Sequence, residues 1–180
     1  RITALSGRAD LAALATNLGR DRLSDADYAK NVYEYVRNNI DIEFRYGLAK
    51  GGRGALIDQS GTPFDQAELM FKLLRAKNIT TRYEIGTITL TAQQFSQWSG
   101  VFSRLNESNQ AVTVDAQAAC QFLADGGIPP TCTPSTGALS SITLAHIWIA
   151  ANSVLYDPSF KVHRLDNGLD VPTAMGCGSS

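Results

Sequence analysis

Apolar residues recur at helical spacing through the first quarter of the chain. Leu11, Leu14, Ala15 and Leu18 form one stripe that ends at Gly19, which predicts a short helix over 9–18. A second helix is announced by Ser24-Asp25-Ala26-Asp27, a capping box with Asp in place of Glu. Behind it Ala29, Val32, Tyr33, Val36 and Ile40 keep the period of an amphipathic helix. The pattern then breaks over 47–61, where two glycine clusters predict a loop. Thr62 next supplies an N-cap, Pro63 fits the first helical position and Asp65 fits the third. Apolar residues from Ala67 to Ala76 cover nearly the whole circumference of that helix, so it is expected to be central and buried, running to about residue 77.

The period changes to two at residue 80. Tyr83, Ile85, Thr87 and Thr89 alternate with Arg82, Glu84, Ile88 and Leu90, which predicts a strand over 80–91 interrupted at Gly86. Residues 92–105 read as one or two short helices, and 115–124 as a helix stopped by Gly126-Gly127-Ile128-Pro129-Pro130. The Ser/Thr/Pro-rich stretch 131–136 reads as loop. A strand over 142–151, a tight turn at Asn152-Ser153 and a return strand over 154–157 complete a hairpin. Periodicity is lost beyond His163. The expected organisation is therefore one domain over 1–163 followed by an irregular tail, 164–180.

Composition narrows the functions available. The 180 residues are 44% hydrophobic and 18% charged, with a formal charge of −1, which fits a globular domain and removes the positive field a nucleic-acid binder needs. No apolar run is long enough to span a membrane, so neither nucleic acid nor membrane is an expected partner. The start, Arg1-Ile2-Thr3-Ala4, reads as an internal piece of a longer protein. The glycine clusters lack the Gly-Lys-Ser/Thr of a phosphate-binding loop. Three cysteines, Cys120, Cys132 and Cys177, and two histidines, His146 and His163, leave little for a closed zinc site, and no cofactor is expected. Cys120 and Cys132 flank the Gly-Gly-Ile-Pro-Pro turn, where a bridge between them is compatible with the spacing but not fixed by it.

Candidate chemistry gathers on the predicted hairpin. A turn at 152–153 pairs residues whose numbers sum to about 305, which brings His146 and Asp157 near one another. An imidazole oriented by a carboxylate is two-thirds of a nucleophile–base–orienter triad. The alternative is a histidine at a strand end beside an Asp-Pro turn. A nucleophile would belong at the start of the buried helix, whose N–H groups lower a thiol's pKa and can hold an oxyanion.

These residues resemble the transglutaminase-like superfamily, whose fold belongs with the papain-like cysteine proteases. The resemblance rests on Leu73-Leu74-Arg75-Ala76 followed by Arg82-Tyr83, on His146-x-Trp148, and on Asp157-Pro158-Ser159. Gly61 to Ala67, Gly126 to Pro129 and Asp157 to Lys161 are most similar to segments of such domains in large bacterial proteins with Rhs or YD repeats. The resemblance implies an α+β fold: a papain-like/transglutaminase-like core with a central buried helix packed against a mostly antiparallel sheet. It also implies His146 as base, Asp157 as orienter, and a secreted or cell-surface location within a larger protein. At family spacing the nucleophilic cysteine falls at Pro63, which has no nucleophilic group.

Two functions are therefore expected in competition. One is a catalytically degenerate module that binds a peptide or protein segment, such as a part of its own large chain, in a groove lined by Thr62, Asp65 and Trp148, with Lys50 and Arg53 near its mouth. The other is an active amide hydrolase or acyltransferase that recruits Cys120 or Cys132 to His146 and Asp157. A metal site on His146, Asp157 and His163 is a third, weaker reading.

Overall fold

A computed structural model describes residues 11–101, 104–105 and 111–162. The described residues begin with two helices, α1 (Leu11–Asn17) and α2 (Asp25–Asn39), the second capped by Ser24, whose side chain accepts from the Asp27 amide. β1 (Asp41–Ile42) runs parallel to β2 (Ser60–Gly61), with α3 (Gly51–Asp58) between them. Then follow α4 (Pro63–Arg75), β3 (Thr81–Thr91) and α5 (Ala92–Ser99). β4 (Arg104–Leu105) pairs with β5 (Ala111–Thr113), and α6 (Ala116–Asp125) leads to β6 (Pro130–Ser135), β7 (Ala138–Ala151) and β8 (Val154–Tyr156). The main sheet is antiparallel throughout. β3 lies on one side of β7, and β6 and β8 lie end to end on the other.

This is the α+β architecture expected, and α4 has the start its sequence dictates. Thr62 accepts from the Asp65 amide, Asp65 returns a hydrogen bond to the Thr62 amide, and Pro63 occupies the first turn. Alternation along β7 divides the interior into two cores. Ile147, Ile149 and Ala151 pack with Leu69, Met70, Leu73 and Leu74 of α4 and with Tyr28, Val32 and Val36 of α2. Ile142 and Leu144, of the opposite parity, pack with Phe95 and Trp98 of α5 and Leu123 of α6. The hairpin register is the one the turn length demands, with Ile149 opposite Tyr156 and Ala151 opposite Val154. Asn152 and Ser153 both hold positive φ, 48° and 64°, as a two-residue hairpin turn requires.

Two stretches read as loop are ordered otherwise. Residues 51–58 form α3, because its glycines serve packing: a Cβ on Gly52 would stand 2.5 Å from the Leu69 backbone nitrogen, so only glycine lets α3 cross α4 this closely. Its N-terminus is capped from outside. Asp65 Oδ1 accepts from the amides of Ala49, Lys50 and Gly51 at 2.7–3.1 Å, and Glu68 Oε2 accepts from Gly52 at 2.5 Å. Residues 130–135 form the edge strand β6, where Pro130 and Pro134 are tolerated and the register shifts between Thr133 and Pro134. Cys120 on α6 and Cys132 on β6 are joined by a disulfide across a separation of 12 residues. Among the described residues no helix is long and apolar enough to cross a membrane.

Candidate functional site

His146 lies in the middle of β7 opposite Gly86 of β3, and 2% of its surface is exposed. Its Nε2 is 2.8 Å from Asp157 Oδ2. Asp157 is the first residue after β8, and an Asx-type turn fixes its carboxylate: Oδ1 accepts from the amides of Ser159 (3.1 Å) and Phe160 (3.2 Å) and from Ser159 Oγ (2.7 Å). The Ser159 hydroxyl also stands 3.4 Å from His146 Nε2 and is 1% exposed. An ionised carboxylate can only accept, so Nε2 is the donor in this contact. The carboxylate thus fixes the orientation of the ring.

An aromatic cluster closes over this pair. Trp98 of α5 meets His146 edge-on, with ring centres 5.8 Å apart, and its Nε1 donates to the Ser159 carbonyl at 3.1 Å. Phe160 stacks on the other side of Trp98 and Phe44 packs against it. Trp148 shares the sheet face of His146, and its ring lies over Gly86, where a Cβ would come within 2.7 Å of it. Trp148 Nε1 donates to Glu84 Oε2 at 3.0 Å. Hydrogen bonds from Arg82 first, then from Trp148, hold the Glu84 carboxyl below its ordinary range.

The segment bearing Asp157 is anchored by Lys161. Its ammonium reaches into the C-terminal end of α2 and donates to the carbonyls of Val36, Arg37 and Ile40, of which that of Val36 also accepts the Ile40 amide. Burial pushes its pKa down to about 8. Beside Asp157 a cleft of about 470 Å³ opens, walled by Tyr33, Leu155, Tyr156 and Phe160.

Thr62, Pro63 and Asp65 stand at the start of α4. Thr62 and Asp65 are fully buried, and Pro63 is buried between them. Thr62 Oγ1 donates to the Gly47 carbonyl at 2.8 Å, and the Asp65 carboxylate is occupied by four backbone amides. These residues join the 47–51 segment to α4. Among the described residues no hydrogen bond or ring contact links them to His146 or Asp157. Lys50 is held by Glu43 (2.7 Å), Asp58 (2.9 Å) and Ser60 (3.2 Å). No group of three metal-ligating side chains occurs among the described residues, and His163 and Cys177 lie outside them. The bridge between Cys120 and Cys132 occupies the two thiols that the competing enzymatic reading requires.

Sequence reasoning placed His146 beside Asp157 but passed over Ser159, Trp98 and Lys161 as participants. An Asp-Pro-Ser run carries a readable turn signal, which points to Ser159. Trp98 reaches the site across more than forty residues of chain, and Lys161, four residues past Asp157, ties that segment to the distant end of α2; no local pattern marks either contact.

Residues 12–122 match the profile of the transglutaminase-like superfamily. The matched segment runs from α1 into α6, so it contains Pro63 and ends before His146 and Asp157. No curated protein and no solved structure matches the chain.

Proposed function

Since the chain belongs to the transglutaminase-like superfamily, we propose that it is a degenerate member of it, a binding or structural module that keeps His146 and Asp157 but has Pro63 in place of the nucleophilic cysteine. The observation that carries this reading is the state of the α4 N-terminus. Pro63 offers no nucleophile, the Thr62 hydroxyl and the Asp65 carboxylate are engaged in capping, and all three are buried. The bonded state of Cys120 and Cys132 supports it further, because a disulfide sulfur cannot act as the attacking thiolate.

The partner proposed is a peptide or protein segment, such as a part of the larger chain to which the domain belongs. The cleft beside Asp157, with three aromatic rings and a leucine in its walls, has the lining of a site for apolar side chains. A secreted or cell-surface location within a large bacterial protein of the Rhs/YD-repeat type is consistent with the disulfide, which persists in oxidising compartments.

The test is chemical. Iodoacetamide labelling at pH 6, where an activated thiolate reacts and an ordinary thiol does not, should leave Cys120 and Cys132 unmodified, and incorporation of a primary amine into a glutamine-bearing protein should stay at background. Rapid labelling of either cysteine, together with turnover that His146→Ala abolishes, would establish the enzymatic reading instead.

A further inference from the structure

The two edges of the main sheet are treated differently. On the β6/β8 side, pairing by another chain is obstructed: β6 carries Pro130 and Pro134 and a register shift, and β8 is only three residues long. β3 has none of these devices. It runs for 11 residues in unbroken register with β7, contains neither proline nor lysine, and pairs with no other strand among the described residues. Its two charges, Arg82 and Glu84, neutralise one another at 2.6 Å. Ile85 is 62% exposed, and Tyr83, 41% exposed, stacks one face of its ring on Phe71 of α4. A long edge strand with no net charge and with outward amides and carbonyls unpaired among the described residues is a template for strand addition.

We infer that β3 is the pairing edge of a two-fold dimer, in which a second copy of this chain adds its own β3 antiparallel to the first. This inference is independent of the reading above. The sequence of the strand is self-complementary about Ile85. A dyad there sets Ile85 against Ile85, Tyr83 against Thr87, Thr81 against Thr89, Arg82 against Ile88 and Glu84 against Gly86. Every pair on the face of Ile85 is then apolar or β-branched, the combinations that stabilise cross-strand contacts, and no like charges stand directly opposite. A dyad at Glu84 would oppose two carboxylates. The formal charge of −1 leaves little long-range repulsion between copies.

Sedimentation of the full chain tests this, with a dimer expected at concentrations of about 10–100 µM. Ile85→Arg places like charges on the dyad and should return the monomer with an unchanged far-UV spectrum, since the side chain is exposed. In a Cys177→Ser background, Ile85→Cys should oxidise to a covalent dimer, because cross-strand partners have the Cβ separation a disulfide needs. Thr89→Cys should not, its two copies lying roughly 27 Å apart along the strands. A chain that stays monomeric at about 100 µM, including one that instead binds a strand-forming peptide, overturns the inference. So does equal crosslinking of the two cysteine variants.

Discussion

Asp65 reaches out of its own helix to take the amide hydrogen of Gly51, 2.7 Å from Oδ1. The same carboxylate accepts from Ala49 and Lys50 through Oδ1 and from Thr62 through Oδ2, so one buried side chain starts two helices. Asp65→Ala should therefore cost about 2 kcal/mol or more, because the part-buried amides of Ala49, Lys50 and Gly51 lose their acceptor together with the buried amide of Thr62, and a fully buried one alone costs about 1–3 kcal/mol. Urea unfolding measures it. A loss under about 1 kcal/mol would mean that water replaces the carboxylate without penalty.

The crossing of α3 over α4 at Gly52 gives a prediction opposite to helix propensity. Alanine is the better helix former by about 1 kcal/mol, yet its Cβ would press on the Leu69 backbone, which cannot rotate away. Gly52→Ala should lower stability by about 2 kcal/mol or more, read from the shift in denaturant midpoint. A stabilised variant would show that the helices separate freely.

Lys161 couples the Asp157 segment to pH. Burial lowers its pKa from 10.5 to about 8, so between those values the unfolded chain holds a proton that the folded chain has released. Unfolding stability from this group therefore rises with pH across that window, and below about pH 8 the cost of burying the charge is present in full. Lys161→Met should remove that rise while also losing the three carbonyl contacts. The check is the difference between wild type and variant in urea midpoint at pH 7.5 and pH 10. Equal differences at the two values would place the folded pKa at its ordinary position.

The disulfide between Cys120 and Cys132 constrains the turn from α6 into β6. Replacing both with alanine should cost about 3 kcal/mol, as loop-closure entropy predicts for a ring of this size. Calorimetry of the native and reduced protein reads the same quantity. An unchanged melting temperature would mean that the turn is already ordered by its own hydrogen bonds, Gly127 to Ala124 and Ile128 to Leu123.

Where local chemistry specifies structure, the sequence was a sufficient guide. The Thr62-Pro63-x-Asp65 start of α4, the alternation of β3 and the turn at Asn152-Ser153 all depend on neighbours a few residues away, although β3 runs through Gly86 without the expected interruption. The pairing of His146 with Asp157 followed from the turn alone. α3 escaped because its stabilisers are remote: Asp65 and Glu68 cap it from another helix, and its glycines record a contact with Leu69 that only the fold reveals. β6 escaped because its prolines are compatible with a strand only at an edge, and edge position is a property of the assembled sheet. The bridge between Cys120 and Cys132 was left open for the same reason, since it depends on how α6 meets β6.

The central place of β7 has a consequence for biosynthesis. Both interior packing regions share this strand as a wall, one through Ile147 and Ile149 and the other through Ile142 and Leu144. A nascent chain that has emerged only as far as residue 137 holds the helices of each region but lacks the surface that joins them. Neither can close on its own, and β3, made some fifty residues earlier, waits for its partner. Closing either interior therefore needs β7, and stalled or truncated products ending before it expose both at once.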